Sequence, residues 1–357
     1  MVDSTRTWMF RSIIWGASLL VCGAIVLGYY VHRISDIPRF PIRVSGSPFT
    51  QRDPEIGFVP VPHGDTDFQH LDSGAHYHVV NDRLGARVNR PGDETPDRVD
   101  LLTLGCSFTW GYGVRNEDTY AQQLKQRLGV STANVAMAGY GSIQSLQMLR
   151  RHLDLRPRTV VYGIIAEHLR RNVSPCAPTF APFCVSASYF EPVGSGGRIH
   201  PPPAELAGFD AVLREIVTPE TRRVSDVLVA ATWAMRADLV HFTIAGGTHD
   251  DSPAAMESSV RFAIGEMANA TRSIGAELVV VYMPYLVGAP APPPPAIVQA
   301  VSDAHAAFVD VTPAVADRLA THPGDVLGLT PLDGHPNATA HRLIAEQVAS
   351  YLQRKPQ

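Results

Sequence analysis

A serine bracketed by glycines, Gly105-Cys106-Ser107-Phe108-Thr109-Trp110-Gly111-Tyr112-Gly113, follows directly on the apolar run Val99 to Leu104. A strand that ends in a small, flexible loop presents a reactive side chain beyond its carboxyl end, where open α/β sheets bind ligands. Ser107 is therefore the candidate nucleophile. The neighbouring Cys106 is the weaker candidate, because adjacent side chains near a strand end point in opposite directions. Near the end of the chain, Leu332-Asp333-Gly334-His335-Pro336-Asn337 precedes an amphipathic stretch with Leu343, Ile344, Val348 and Leu352 on one side. A histidine beside a carboxylate can hold one tautomer and take the proton of a serine hydroxyl. Alone, Asp-x-His reads as a helix-capping aspartate and a surface histidine; combined with the serine loop it supplies the base that Ser107 needs.

The elements that must position these residues alternate from Asp100 onward. Strands are expected at Val99 to Leu104, Ala133 to Ala138, Thr159 to Ile165, Glu277 to Met283 and Phe308 to Val311. Thr119 to Leu128 and Ser142 to Leu153 carry helical apolar spacing, and further helices are expected near Pro203 to Val217, Arg223 to Leu239 and Pro253 to Ile274. Pro336 suits a helix start, which puts Asp333 and His335 on the loop entering the last helix. This order predicts an α/β fold with a doubly wound parallel sheet covered by helices on both faces. Two segments break the rhythm: Asn172 to Pro203, rich in Pro, Gly and Ser, and Gly288 to Pro295 with four consecutive prolines. Each is either a binding loop or a plain surface insertion.

Ahead of this unit, Ser12 to Val31 holds no charge. Ile13 to Val31 as a helix would span roughly 28 Å, close to the hydrocarbon thickness of a bilayer. The run is longer than the apolar part of a usual signal peptide and no Ala-x-Ala site follows it, so a retained membrane helix is expected. Flanking arginines lie on both sides and do not set its orientation. Residues 34 to 48 read as a linker, and the region from about Asp53 to Asn89 as a small β-rich lead-in. The expected organisation is 1–33 membrane anchor, 34–98 linker and lead-in, and 99–357 a catalytic domain with an insertion near 172–204. His63, His70, His76 and His78, with Asp65, Asp67 and Asp72, match no close metal-ligand spacing and read as solvated strand-face residues.

Composition narrows the classes. The chain has 357 residues, 45% hydrophobic and 18% charged, enough for one large core, and a formal net charge of -4. No basic stripe neutralises phosphates, so nucleic acid is not an expected partner. Neither Gly-x-Gly-x-x-Gly nor a P-loop follows the first strand, which argues against a nucleotide site. Cys176 and Cys184 lie close together and either close a short disulfide in an oxidising compartment or remain free thiols.

These residues resemble the SGNH hydrolases, also called GDSL-type esterases and lipases. Gly105-Cys-Ser107-Phe-Thr-Trp-Gly111 resembles the first block of that family, and Asn134-Val-Ala-Met-Ala-Gly139-Tyr-Gly is similar to the second. Val160 to Leu169 falls where the third is expected, and Asp333-Gly-His335-Pro-Asn looks like the fifth. The match runs from about Val99 to Leu352, and the lead-in resembles one found before such domains in bacterial envelope members. An α/β-hydrolase is a poorer match: Thr109 stands where Gly-x-Ser-x-Gly needs glycine, and the acid lies two residues before the histidine.

The resemblance implies a flavodoxin-like three-layer fold, Ser107 as nucleophile, His335 as general base and then acid, and Asp333 as its orienting partner. It implies backbone N–H groups of Ser107 and Gly139 at the oxyanion, and no metal or organic cofactor. The third block departs from the family, with Glu167-His168 where Asn-Asp would stand, so His168 and Asn172 are the candidate side-chain donors. The expected activity is ester hydrolysis, acetyl esters included, on an envelope or polysaccharide substrate outside the cytoplasm. The alternatives are O-acyl transfer by the same chemistry, or a catalytically silent glycan-binding or assembly protein.

Overall fold

The computed structural model describes residues 4–35, 42–70, 74–177, 185–194, 196–203, 228, 231–232, 234–235 and 250–354. Its first element is a long helix, α1 (Ser4–Ser35), of which Trp8–His32 is apolar and long enough to cross a membrane, with mean hydropathy 1.9. Six short strands follow: β1 (Ile42–Gly46), β2 (Thr50–Asp53), β3 (Gly57–Pro60), β4 (Asp65–His70), β5 (His76–Asn81) and β6 (Arg87–Val88). Strands β1-β4-β5-β6 form an antiparallel sheet, and β2 pairs with β3 in a hairpin. The part of 34–48 read as a linker thus contains a strand, because Ile42 and the chain after it pair with Thr66 to His70.

The central sheet is parallel and made of β7 (Leu101–Gly105), β8 (Thr132–Asn134), β9 (Thr159–Ile164), β12 (Glu277–Tyr282) and β13 (Ala307–Asp310). Between β9 and β12 lies an antiparallel hairpin, β10 (Tyr189–Val193) and β11 (Gly196–His200), inside a segment expected to be loop. The sheet order β8-β7-β9-β12-β13 is 2-1-3-4-5 by appearance, the flavodoxin-like winding. Its switch point lies between β7 and β9, the strands that lead into Ser107 and into Glu167.

The three inner strands, β7, β9 and β12, are apolar on both faces, as a sheet covered twice requires. Leu102, Leu104, Val160, Tyr162, Val280 and Tyr282 join one buried cluster, whereas Leu101, Val161, Val279 and Val281 join another. The first face is covered by α4 (Ser142–Arg151), α6 (Pro253–Ser273) and α7 (Pro295–Asp303), and the second by α3 (Tyr120–Leu128) and α9 (Ala338–Gln353). Shorter or flanking helices are the turn α2 (Ser107–Trp110), α5 (His168–Val173) and α8 (Thr312–Thr321). The helices expected near 203–217 and 223–239 lie outside the described residues, apart from a few positions.

The lead-in is not a separate body. Phe49, Phe58, Phe68 and Tyr77 belong to the same buried cluster as Leu104 and Trp110. Arg151 of α4 adds a bidentate pair with Asp53, at 2.6 and 2.8 Å, and reaches Glu55 at 2.7 Å. Cys22 and Cys106 are free thiols, Cys176 is disulfide-bonded, and Cys184 lies outside the described residues.

Candidate active site

Ser107 opens α2 directly beyond β7, and the bend before it demands glycine. Gly105 has φ 146°, and a Cβ there would lie 2.5 Å from Thr109 Oγ1 and 2.6 Å from the Gly163 carbonyl. The loop after Ser107 is held from the lead-in: Arg87, fully buried, donates from Nη1 to the carbonyls of Trp110 at 2.8 Å and Gly111 at 2.6 Å, and from Nη2 to Val114 at 2.6 Å. Cys106 is fully buried, and burial pushes its thiol up, which disfavours a thiolate nucleophile there.

The histidine and acid arrive on a strand rather than a free loop. A short ribbon, β14 (Gly328–Thr330) and β15 (Asp333–Pro336), precedes α9, and Asn337 caps that helix by accepting from the N–H groups of Thr339 and Ala340. In an extended chain residues i and i+2 share a face. Asp333 and His335 therefore meet, with Nδ1 at 2.6 Å from Oδ1. The other ring nitrogen, Nε2, lies 2.9 Å from Ser107 Oγ, a contact between residues 228 positions apart. The imidazole packs against Tyr112, ring centroids 4.4 Å apart, and Phe108 at 5.2 Å.

Burial by itself would raise the Asp333 carboxyl. The hydrogen bond from His335, then the approach of His70 Nε2 to within 3.4 Å, and the charge of His335 overcome it and hold the group well below the usual carboxylate range. Asp333 is therefore ionised at neutral pH and can stabilise an imidazolium.

The oxyanion side is built differently. Met137 to Tyr140 form a tight turn closed by the Tyr140 N–H on the Met137 carbonyl at 3.2 Å, with Gly139 at φ 85° in the position that favours glycine. Among the described residues the N–H groups of Ser107 and Gly139 have no hydrogen-bond acceptor. The Gly141 N–H instead donates to Gln144 Oε1 at 2.8 Å.

His168 and Asn172 do not reach the cavity; both side chains are completely buried. His168 Nδ1 bonds the Tyr162 hydroxyl at 2.8 Å, and burial followed by the Arg171 charge holds its pKa well below the usual histidine value. Asn172 Oδ1 accepts from the Ser142 N–H at 2.7 Å, and its amide donates to Ser259 at 3.1 Å. It fastens the start of α4, next to the Gly139 turn.

A cavity of about 220 Å³ opens beside His335 and is lined also by Phe108, Ile165, Glu167, Arg170, Arg171 and Tyr285. Arg171 is 8% exposed, donates to the Tyr140 carbonyl at 3.0 Å and reaches the Cys106 thiol. The sequence reading missed this buried cation, whose only trace is the Arg170-Arg171 pair one helical turn beyond Glu167. It also missed His70, grouped with solvated residues but 1% exposed in side chain. His76 and His78 of that group do lie on the exposed face, His78 within 2.9 Å of both Asp65 and Asp67.

No family model matches the chain, and a search of curated proteins finds no match. Among solved structures the chain is similar to a catalytic mutant of Axe2, an acetylxylan esterase from Geobacillus stearothermophilus. That match has 13% identity, covers 73% of this chain and 98% of the other, and has a TM-score of 0.38. The psychrotrophic esterase EstA from Pseudoalteromonas sp. matches at 12% identity over 71% and 96% of the two chains, TM-score 0.34. A lipolytic protein of the G-D-S-L family from Desulfitobacterium hafniense matches at 11% over 70% and 97%, TM-score 0.33.

Proposed function

We propose that this chain is a serine esterase of the SGNH type, acting through a Ser107 acyl-enzyme on a small acyl ester of an envelope or polysaccharide substrate. One observation carries the reading: the continuous line Ser107 Oγ, His335 Nε2, His335 Nδ1, Asp333 Oδ1, with contacts of 2.9 and 2.6 Å. Nucleophile, base and orienting acid within hydrogen-bond reach of one another form an arrangement that activates a hydroxyl.

In this reading Ser107 Oγ bonds to the ester carbonyl carbon while its proton passes to His335 Nε2. The carbonyl electrons move onto oxygen, where the N–H groups of Ser107 and Gly139 receive them. The alcohol leaves with the proton returned by His335, and water drawn through the same base hydrolyses the acyl-enzyme. The cavity beside His335 suits a short acyl group, acetyl among them. Helix α1 would hold the protein at a membrane, with the catalytic part outside the cytoplasm, where the Cys176 disulfide persists.

The test is labelling of the full-length protein in mild detergent with a fluorophosphonate probe, located by mass spectrometry. Labelling at Ser107 is expected, together with turnover of a short aryl ester that falls about 10⁴-fold or more in Ser107→Ala and in His335→Ala. Label on another residue, or turnover unchanged in Ser107→Ala, overturns the assignment.

A further inference from the structure

The lead-in sheet reaches the triad itself. Strand β4 alternates, sending Thr66, Phe68 and His70 inward and leaving Asp65 and Gln69 outside. His70 is the last of the inward set, and its Nε2 lies 3.4 Å from Asp333 Oδ2, the carboxylate oxygen that His335 does not use. The His70 ring stands edge-on to Tyr112 at 6.1 Å, and Tyr112 is the ring against which His335 packs. One carboxylate is thus approached from both sides, by His335 from β15 and by His70 from β4.

We propose that His70 is a positioning residue of the catalytic triad, donating from Nε2–H to Asp333 Oδ2 so that Oδ1 stays fixed on the His335 Nδ1–H. The proposal rests on the esterase reading of the same site. A carboxylate held through only one oxygen can rotate about its Cβ–Cγ bond, and the imidazole it orients then loses its alignment on Ser107. A donor on the second oxygen removes that freedom. At 3.4 Å the contact is long for a hydrogen bond, and contacts of this kind tighten as charge develops on the imidazole. The β-rich segment is then part of the active site.

Two substitutions separate positioning from packing. His70→Gln places an amide N–H near the position of Nε2, and His70→Leu keeps similar bulk without a donor; His70→Met replaces it should the Leu chain fail to fold. In full-length protein in detergent, kcat for a short aryl ester is expected to fall about tenfold or more in His70→Leu with KM within about twofold. His70→Gln recovers most of the loss. Equal losses in the two variants, or no loss in His70→Leu, overturn the proposal.

A second readout needs no substrate. In protein labelled with ¹⁵N-histidine, the low-field Nδ1–H resonance of His335 is expected to persist in His70→Gln and to broaden or shift in His70→Leu. An unchanged resonance in His70→Leu sinks the positioning role, whatever the enzyme's activity. Wild-type protein that neither turns over ester nor takes label at Ser107 sinks the esterase reading and leaves this measurement to decide on His70.

Discussion

The two sides of Ser107 obey different rules. On the base side, polar side chains face one another across the site: His335 spans Ser107 and Asp333, with His70 behind the carboxylate. On the oxyanion side, the polar side chains that the sequence offers, His168 and Asn172, are buried in the scaffold, while backbone N–H groups and the Arg171 guanidinium remain near the site. The difference teaches that proton transfer requires particular side chains, whereas an oxyanion accepts any well-aimed donor.

The sharpest way to break the comparison is Asp333→Asn. An amide favours the wrong imidazole tautomer, so kcat for an aryl ester should drop about 10³- to 10⁴-fold with the melting temperature little changed. A loss under tenfold would remove Asp333 from the orienting role.

Next in size is Arg171→Gln, which takes a buried cation from the lining of the cavity beside His335. Its expected cost is roughly 10²-fold in kcat, read against a KM that moves far less. Should kcat stay within a factor of three, the oxyanion side would consist of backbone donors alone. Asn172→Ala should behave in the opposite way. It unties Ser142 and Ser259, so denaturant titration should show about 1–3 kcal/mol lost while kcat stays within about threefold. A 10²-fold loss of kcat at unchanged stability would return Asn172 to the oxyanion.

The smallest effect concerns a histidine on the helix that follows the base. His341 of α9 is fully buried, accepts from the Tyr120 N–H at 3.1 Å, and is pushed down to about 3 by burial, then by the charges of Arg87 and His335. Between the unfolded value near 6.5 and that folded value, the unfolded chain binds a proton that the folded state refuses. Stability should therefore fall with falling pH in that window, by at most about 1.4 kcal/mol per pH unit from this group. His341→Asn keeps an acceptor for Tyr120 and should flatten the limb between about pH 6.5 and 4, measured by denaturant unfolding across pH; an unchanged limb assigns it to other groups.

Much of the fold was legible because its cause is local. The inner strands are largely apolar runs, and the structure places each of the five strands within two residues of its expected start, with the second ending earlier than expected. That strand stops at Asn134, whose side chain donates to the Thr109 carbonyl and accepts from the Ala136 N–H, turning the chain toward the Gly139 loop. Asp333-Gly334-His335 was legible as a pair, although the expected loop is a strand and Asn337 rather than Pro336 starts the helix. The burial of His70 is not legible locally, because Asp65, Asp67 and Gln69 of the same strand form the more solvated face and only Phe68 marks the inward register.

The sequence by itself determined the glycine-bracketed serine loop, the pairing of Asp333 with His335, the parallel sheet and the apolar N-terminal helix, since each depends on residue type and short-range spacing. Only the tertiary structure decided which polar side chains face the cavity. His168, Asn172 and Arg171 occupy one short helix with similar polarity in sequence, yet two are sealed in the core and one lines the cavity beside His335. That choice is set by how α5 packs against α4 and α6, a long-range matter of burial and hydrogen-bond satisfaction that no local pattern encodes.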